Sequence, residues 1–217
     1  MIVVATLLWE ANRKSRDFSS SYTEAWAEKL YRGFARNLTR PFRFICYTDR
    51  PRVFAEPIEQ RQILDAKPSY ASCIQPYELD VPMILVGLDT VVVGNCDALA
   101  DYCLSADVLA VPRDPYNRRR ACNGVALVPG GQAARMWGEY PAGTNDMEWI
   151  NANPHAILDD LFPGACVSFK KDVAKTANAN AKPPADCAPD DRARIVYFHG
   201  RHKAPELPYS WIAKNWR

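Results

Sequence analysis

Hydrophobic and polar positions alternate between short apolar runs and one amphipathic stretch. Ile2 to Leu8 is a nearly unbroken apolar, β-branched run, the pattern of a strand covered on both faces. A polar segment with Asn12, Arg13, Lys14 and Ser15 follows. Over 22–37, Tyr22, Ala25, Trp26, Leu30 and Phe34, with the stem of Lys29, recur at helical spacing. Pro41 stops that helix, and Phe42 to Thr48 predicts a second strand closed by the turn sequence Thr48-Asp49-Arg50-Pro51. Strand, helix and strand in this order open a right-handed α/β unit.

Further on, 82–93 is the most apolar stretch and predicts the central strand, with one acid, Asp89, inside it. Stretches 108–111 and 125–129 predict two short strands, joined by a loop at 112–121 that carries Arg118, Arg119 and Arg120. Helical patterns cover 132–140 and 147–151, a short strand is predicted at 166–169, and 172–191 reads as an irregular excursion. The last strand, 195–199, runs into Gly200. No internal repeat is visible. The pattern predicts one α/β domain over 1–217, with a mixed, mostly parallel sheet flanked by helices.

Composition narrows the function classes. The chain has 217 residues, 48% hydrophobic and 24% charged, which are globular values. Lys and Arg number 27 against 25 Asp and Glu, so the molecule lacks the field of a dedicated nucleic-acid binder. The longest apolar stretch is interrupted by Gly87 and Asp89, so no membrane span is expected. The start of the chain lacks a basic region before its apolar run and reads as a strand rather than a signal peptide. Seven cysteines, an odd count with no paired C-x-x-C spacing, predict reduced thiols in a cytoplasmic protein.

Two positions stand out chemically. A carboxylate inside an apolar strand costs several kcal/mol to bury unless it binds something. Asp89 therefore either caps a turn or is delivered to the carboxyl end of a strand, where α/β sheets place ligands, as an oxygen ligand for Mg²⁺ or Mn²⁺. His199 ends the apolar run Ile195-Val196-Tyr197-Phe198 and precedes Gly200, Arg201, His202 and Lys203. That cluster of cations beside a glycine suits an anion.

These residues resemble a family. Leu85 to Asp97 looks like the Asp-x-Asp segment of GT-A-fold glycosyltransferases related to glycogenin and to bacterial lipopolysaccharide galactosyltransferases. Val196-Tyr197-Phe198-His199-Gly200-Arg201-His202-Lys203 looks like their His-Gly-x-x-Lys segment. Leu30 to Leu38 and Phe44 to Asp49 fit the family's first helix and second strand, and Asn145 to Asn151 its Asp-Gln helix start. The resemblance implies a single-domain, Rossmann-like GT-A fold and a metal-dependent transferase. Such an enzyme moves a sugar, with retention at C1, from a nucleotide-diphosphate donor such as a UDP-sugar to a glycan or small-molecule acceptor. It gives Asp89 and His199 to the Mn²⁺ or Mg²⁺ ion, and Thr90, Gly200 and Lys203 to the diphosphate. Thr6, Leu7 and Tyr22 go to the nucleotide, and Asp146 to the donor sugar. Asn123 holds the donor-contacting position in one of two possible registers.

The chain departs from the family pattern at four places. The first Asp of the motif is Gly87, the Lys and Glu of the family's Ser-Lys-x-Glu segment are Cys73 and Gln75 if Ser72-Cys73-Ile74-Gln75 is the match, and the Gln after Asp146 is Met147. Gly87 and Cys73 also fit a homologue that binds a nucleotide sugar or a partner without turnover. A nucleotidyltransferase would want a glycine-rich loop after the first strand, and Trp9 to Arg13 contains no glycine. A glycoside hydrolase would need a second opposed carboxylate for Asp89. The arginine run reads either as a solvated loop or as an acceptor-recognition loop for an acidic glycan.

Overall fold

The computed structural model describes residues 1–15, 22–178 and 181–217. Strand β1 (Ile2–Leu8) lies in the interior of the larger sheet because it is apolar on both faces. It pairs in parallel with β2 (Phe42–Thr48) along its whole length, from Ile2 opposite Phe42 to Leu8 opposite Thr48. On its other side it pairs in parallel with β4 (Met83–Val86). The remaining members are β3 (Glu59–Gln62), β6 (Ala110–Val111), β7 (Val125–Val128) and β8 (Ala156–Ile157). Among the described residues this sheet has seven strands in the order β3-β2-β1-β4-β7-β6-β8, with β7 antiparallel to both β4 and β6. A second sheet of three strands orders β5 (Thr90–Val92), β10 (Ile195–Tyr197) and β9 (Cys166–Ser168) as β5-β10-β9. The architecture is the mixed, mostly parallel α/β sheet with flanking helices that the sequence predicts.

Helix α1 (Glu24–Asn37) crosses between β1 and β2 and buries Trp26, Ala27, Leu30, Gly33 and Phe34. Burying the large members of that stripe contributes about 1.5–3 kcal/mol each. Gly33 allows the close approach to the second sheet: a Cβ there would meet Val92 Cβ and Cγ2 at 3.3 Å. Helices α2 (Asp97–Ser105), α3 (Gln132–Gly138), α4 (Asp146–Ala152), α5 (Leu158–Leu161) and α6 (Ser210–Asn215) complete the layers. No helix among the described residues is long and apolar enough to cross a membrane.

One expectation fails instructively. The stretch 82–93 is two strands, not one. Met83–Val86 stays in the larger sheet and Thr90–Val92 joins the smaller one, with a turn at 87–89 between them. The break places Asp89 at a strand end, half-buried, rather than in a sheet interior where its charge would lack solvation. The amphipathic helix starts at Glu24, leaving Tyr22 ahead of it. Strand 108–111 shortens to its last two residues, and strand 195–199 ends at Tyr197. The excursion begins with a π-helical turn at Phe169–Val173. The hydrophobic pattern missed β3, β8, α2, α5, α6 and a 3₁₀ helix at Tyr70–Leu79 that contains Pro76.

Candidate active site

After β3 the chain returns to β4 on the opposite side of β1, which makes the β1/β4 pair a topological switch point. Ligands of open α/β sheets bind outside the carboxyl ends of strands at such points. A cavity of about 600 Å³ opens there. Leu7 and Trp9 from the end of β1, Leu85 to Asp89 from the end of β4, and His199, Gly200 and Lys203 from beyond β10 line it.

A backbone ladder brings Asp89 and His199 together although 110 positions separate them. Strands β5 and β10 run antiparallel with Thr90 opposite Tyr197, so the residue before β5 and the residues after β10 emerge at the same end. The Phe198 N–H donates to the Asp89 carbonyl oxygen at 3.0 Å, extending that ladder past the strands. Left-handed turn residues, Gly200 at φ 66° and His202 at φ 63°, then fold the chain back. That turn sets the Lys203 ammonium against Asp89 Oδ2.

Asp89 has a second donor. The Tyr22 hydroxyl donates to Oδ2 at 2.9 Å. Burial, and then the neighbouring Asp89 charge, push the Tyr22 phenol far above its usual range, so it stays protonated and donating. His199 contacts Ser168 Oγ through Nε2 at 2.7 Å, and the Tyr116 ring packs edge-on against the imidazole with centroids 5.3 Å apart. Burial first, and the Lys203 cation second, lower the His199 pKa, which keeps the imidazole neutral at pH 7.

The opposite wall carries a second polar pair. Asp146 is the first residue of α4, whose N-terminus is capped by the Asn145 side chain accepting from Met147 N and Glu148 N. The Asn123 amide donates to Asp146 Oδ2 at 2.7 Å. Asn151 bonds both the N–H and the carbonyl of Ala121, which ties segment 121–124 to that helix. Asp146 is 4% exposed, and burial raises its pKa against the lowering effect of Asn123 and the helix N–H groups. Asp146 Oδ1 and Asn123 Oδ1 are buried with no hydrogen-bond partner among the described residues. Both residues line the cavity. Cys73 brings a thiol, not a cation, to this wall, and burial pushes that thiol well above its usual value. Cys122 in the same wall is pushed up to about 11 by burial, so neither cysteine is a thiolate at neutral pH.

The cavity thus gathers Leu7, Tyr22, Asp89, Asn123, Asp146, His199, Gly200 and Lys203. Thr6 and Thr90 lie outside its lining: both are buried in strands, with hydroxyls that have no partner among the described residues. Trp9, Tyr70, Tyr116 and Tyr197 line the cavity as well. Aromatic residue types serve cores as readily as sites, so sequence alone carried no signal for them.

The donor set determines which metal would fit. Among the described residues no group of three or more His, Cys, Asp or Glu side chains is placed to hold an ion. Gly87 leaves the motif with one carboxylate, and a Cβ there would stand 2.9 Å from Asp89 Oδ1. One carboxylate and one neutral imidazole at a single ladder end fit an ion that draws its other ligands from a diphosphate and water, as Mg²⁺ commonly does. They do not form an all-protein cage.

No family model matches the chain, and no curated protein matches it. Among solved structures the arrangement is that of a glycosyltransferase-like Rossmann fold. The chain is similar to the glycosyltransferase GlyE of Streptococcus pneumoniae TIGR4, with a TM-score of 0.51 and 11% identity over 75% of this chain and 46% of that one. The chain thus spans less than half the length of GlyE, and at this identity the likeness concerns the fold.

Proposed function

We propose that this chain is a glycosyltransferase that moves a sugar from a nucleotide-diphosphate donor, a UDP-sugar, to a hydroxyl of a glycan or small-molecule acceptor. The observation that carries this reading is the pair of orphaned, buried oxygens on Asn123 and Asp146. Leaving a polar atom buried and unbonded costs about 1–3 kcal/mol, and sugar hydroxyls would satisfy these two. Across the cavity, Lys203 and the turn at Gly200 supply a cationic end suited to a diphosphate. Tyr22 and Leu7 then flank the nucleotide.

In this reading the residues do little covalent chemistry. Lys203 leaves Asp89 for the diphosphate and offsets the charge that develops as it departs from C1. Asp89 and His199 would hold Mn²⁺ or Mg²⁺, which when bound supplies Lewis-acid assistance to the same leaving group. Asp146 stabilises positive charge growing at C1 and orients the sugar through its hydroxyls, with Asn123 fixing its carboxylate. Retention at C1 follows from the family resemblance. The unpaired thiols suit a reducing, cytoplasmic setting.

Thermal unfolding with UDP and Mn²⁺ tests the binding half. At a hundredfold excess over Kd a native-state ligand stabilises by about 2.7 kcal/mol, a Tm rise of roughly 5–10 °C for a domain of this size. The rise is expected to need both components and to disappear in Asp89→Asn and His199→Ala. Release of free UDP from a panel of UDP-sugars tests turnover. Gly87 and Cys73 favour a second reading, a homologue that binds without transfer. It is the correct one if the thermal shift is present and no UDP is released. Absence of any nucleotide-dependent shift overturns both.

A further inference from the structure

The loop at 112–121 is absorbed by neither the fold nor the chemistry above. Asp114, Pro115 and Tyr116 line the cavity mouth, and Tyr116 packs against His199. The loop is built rather than loose. Arg113 and Ala121 form an antiparallel bridge, the Asp114 N–H donates to the Arg120 carbonyl at 2.8 Å, and the Asp114 carboxylate accepts from Tyr116 N and Asn117 N. Arg113 is spent as an anchor, ion-paired with Asp160 at 2.8 Å and donating to the Arg118 carbonyl.

The next three arginines are different. Arg118, Arg119 and Arg120 are exposed, and none forms an ion pair among the described residues. Asp172, which feels the Arg118 charge, is engaged by Ser168 N. Lys171 adds a fourth cation, its Nζ 6.0 Å from the centroid of the Tyr116 ring. Tyr116 itself is 42% exposed, leaving ring surface that a sugar can cover. In a chain whose formal charge is only +2, three consecutive exposed arginines in a loop whose Tyr116 lines the cavity, with Lys171 beside that ring, are a local concentration of cations.

We infer that this loop is the acceptor wall of the site and that the acceptor is an anionic saccharide, one bearing phosphate, sulfate or carboxylate groups. The inference rests on the glycosyltransferase reading and names its second substrate by class. Tyr116 stacks on the acceptor ring beside the reacting centre. The guanidiniums of Arg118, Arg119 and Arg120, held by a bridged loop, bind its charged groups in bidentate fashion. A neutral glycan would leave them as solvated cations that contribute nothing.

The test uses the full chain saturated with UDP and Mn²⁺, a heparin tetrasaccharide, the neutral maltotetraose, and vesicles of phosphatidylglycerol. Calorimetry is expected to give at least about tenfold tighter binding of the heparin tetrasaccharide than of maltotetraose, the sum expected of several exposed ion pairs. The preference should shrink as salt is raised and vanish in the triple variant Arg118→Gln, Arg119→Gln, Arg120→Gln. The UDP-dependent thermal shift of that variant should match the parent. Equal binding of the two tetrasaccharides, or a preference that survives the triple substitution, overturns the inference. Sedimentation with the vesicles in place of tetrasaccharide binding also overturns it and makes the loop a membrane contact. Loss of the UDP shift in the parent protein would instead count against the transferase reading, whatever the tetrasaccharides do.

Discussion

Asp146 is held in a state that folding alone would not choose. Its carboxylate is 4% exposed, with one oxygen unpartnered, and burial lifts its pKa. A raised carboxyl pKa means that the folded state binds the proton more tightly than the unfolded chain. The favourable contribution is therefore complete below the ordinary value near 4 and is lost as pH climbs through the raised one. Asp146→Asn should accordingly raise Tm at pH 7 and flatten its decline as pH climbs above about 4, while UDP release from the donor falls at least about tenfold. A substitution that lowers Tm at pH 7 in urea or heat denaturation would mean the acid is already satisfied. Asp89 and His199 were legible in sequence because a charge or an imidazole interrupts an apolar run, and residue type betrays it. The Asn123–Asp146 pair was legible only by resemblance. Tyr116 was legible only as a neighbour of the arginine run in its loop, and Tyr70 not at all, since nothing in its spacing separates a cavity wall from a core.

At the scale of elements, the contact between α1 and β5 has no slack. A Cβ at residue 33 would already press on Val92 at 3.3 Å. Gly33→Leu should therefore destabilise by about 1–3 kcal/mol, read as a lowered midpoint in urea. The turn at Gly87 has a different tolerance. Its added Cβ would meet only the tip of the Asp89 side chain, 2.9 Å away. Gly87→Ala is expected to shift ligand-free stability by less than about 1 kcal/mol but to weaken the UDP and Mn²⁺ thermal shift, because the carboxylate must swing from Tyr22 and Lys203. Strands β1 and β2 were readable to the residue because parallel central strands are continuous apolar runs. The split of 82–93 was not readable: both halves are apolar, and hydrophobicity does not encode which sheet receives a strand.

For the molecule as a whole, the α/β class was readable from the order of strand, helix and strand, and the position of the cavity follows from that order. A ligand site at the β1/β4 switch point is a property of the topology before any side chain is specified. Two strands of the smaller sheet, near 166–169 and 195–199, were readable from their apolar runs, but with only 3 residues in each strand their assembly with β5 into a separate sheet was not. That sheet nevertheless fixes the site. The main-chain bond from Phe198 to Asp89 means that the spacing between the acid and the imidazole is metered by peptide units, not by the fit of neighbouring side chains. Core residues beneath the ladder can drift in size with little effect on that spacing. A single-codon insertion within β10 would rotate every following side chain to the other face and carry His199 out of the cleft. Length, more than composition, is what descent must hold constant there, whereas residues added in 181–191 would leave that spacing untouched.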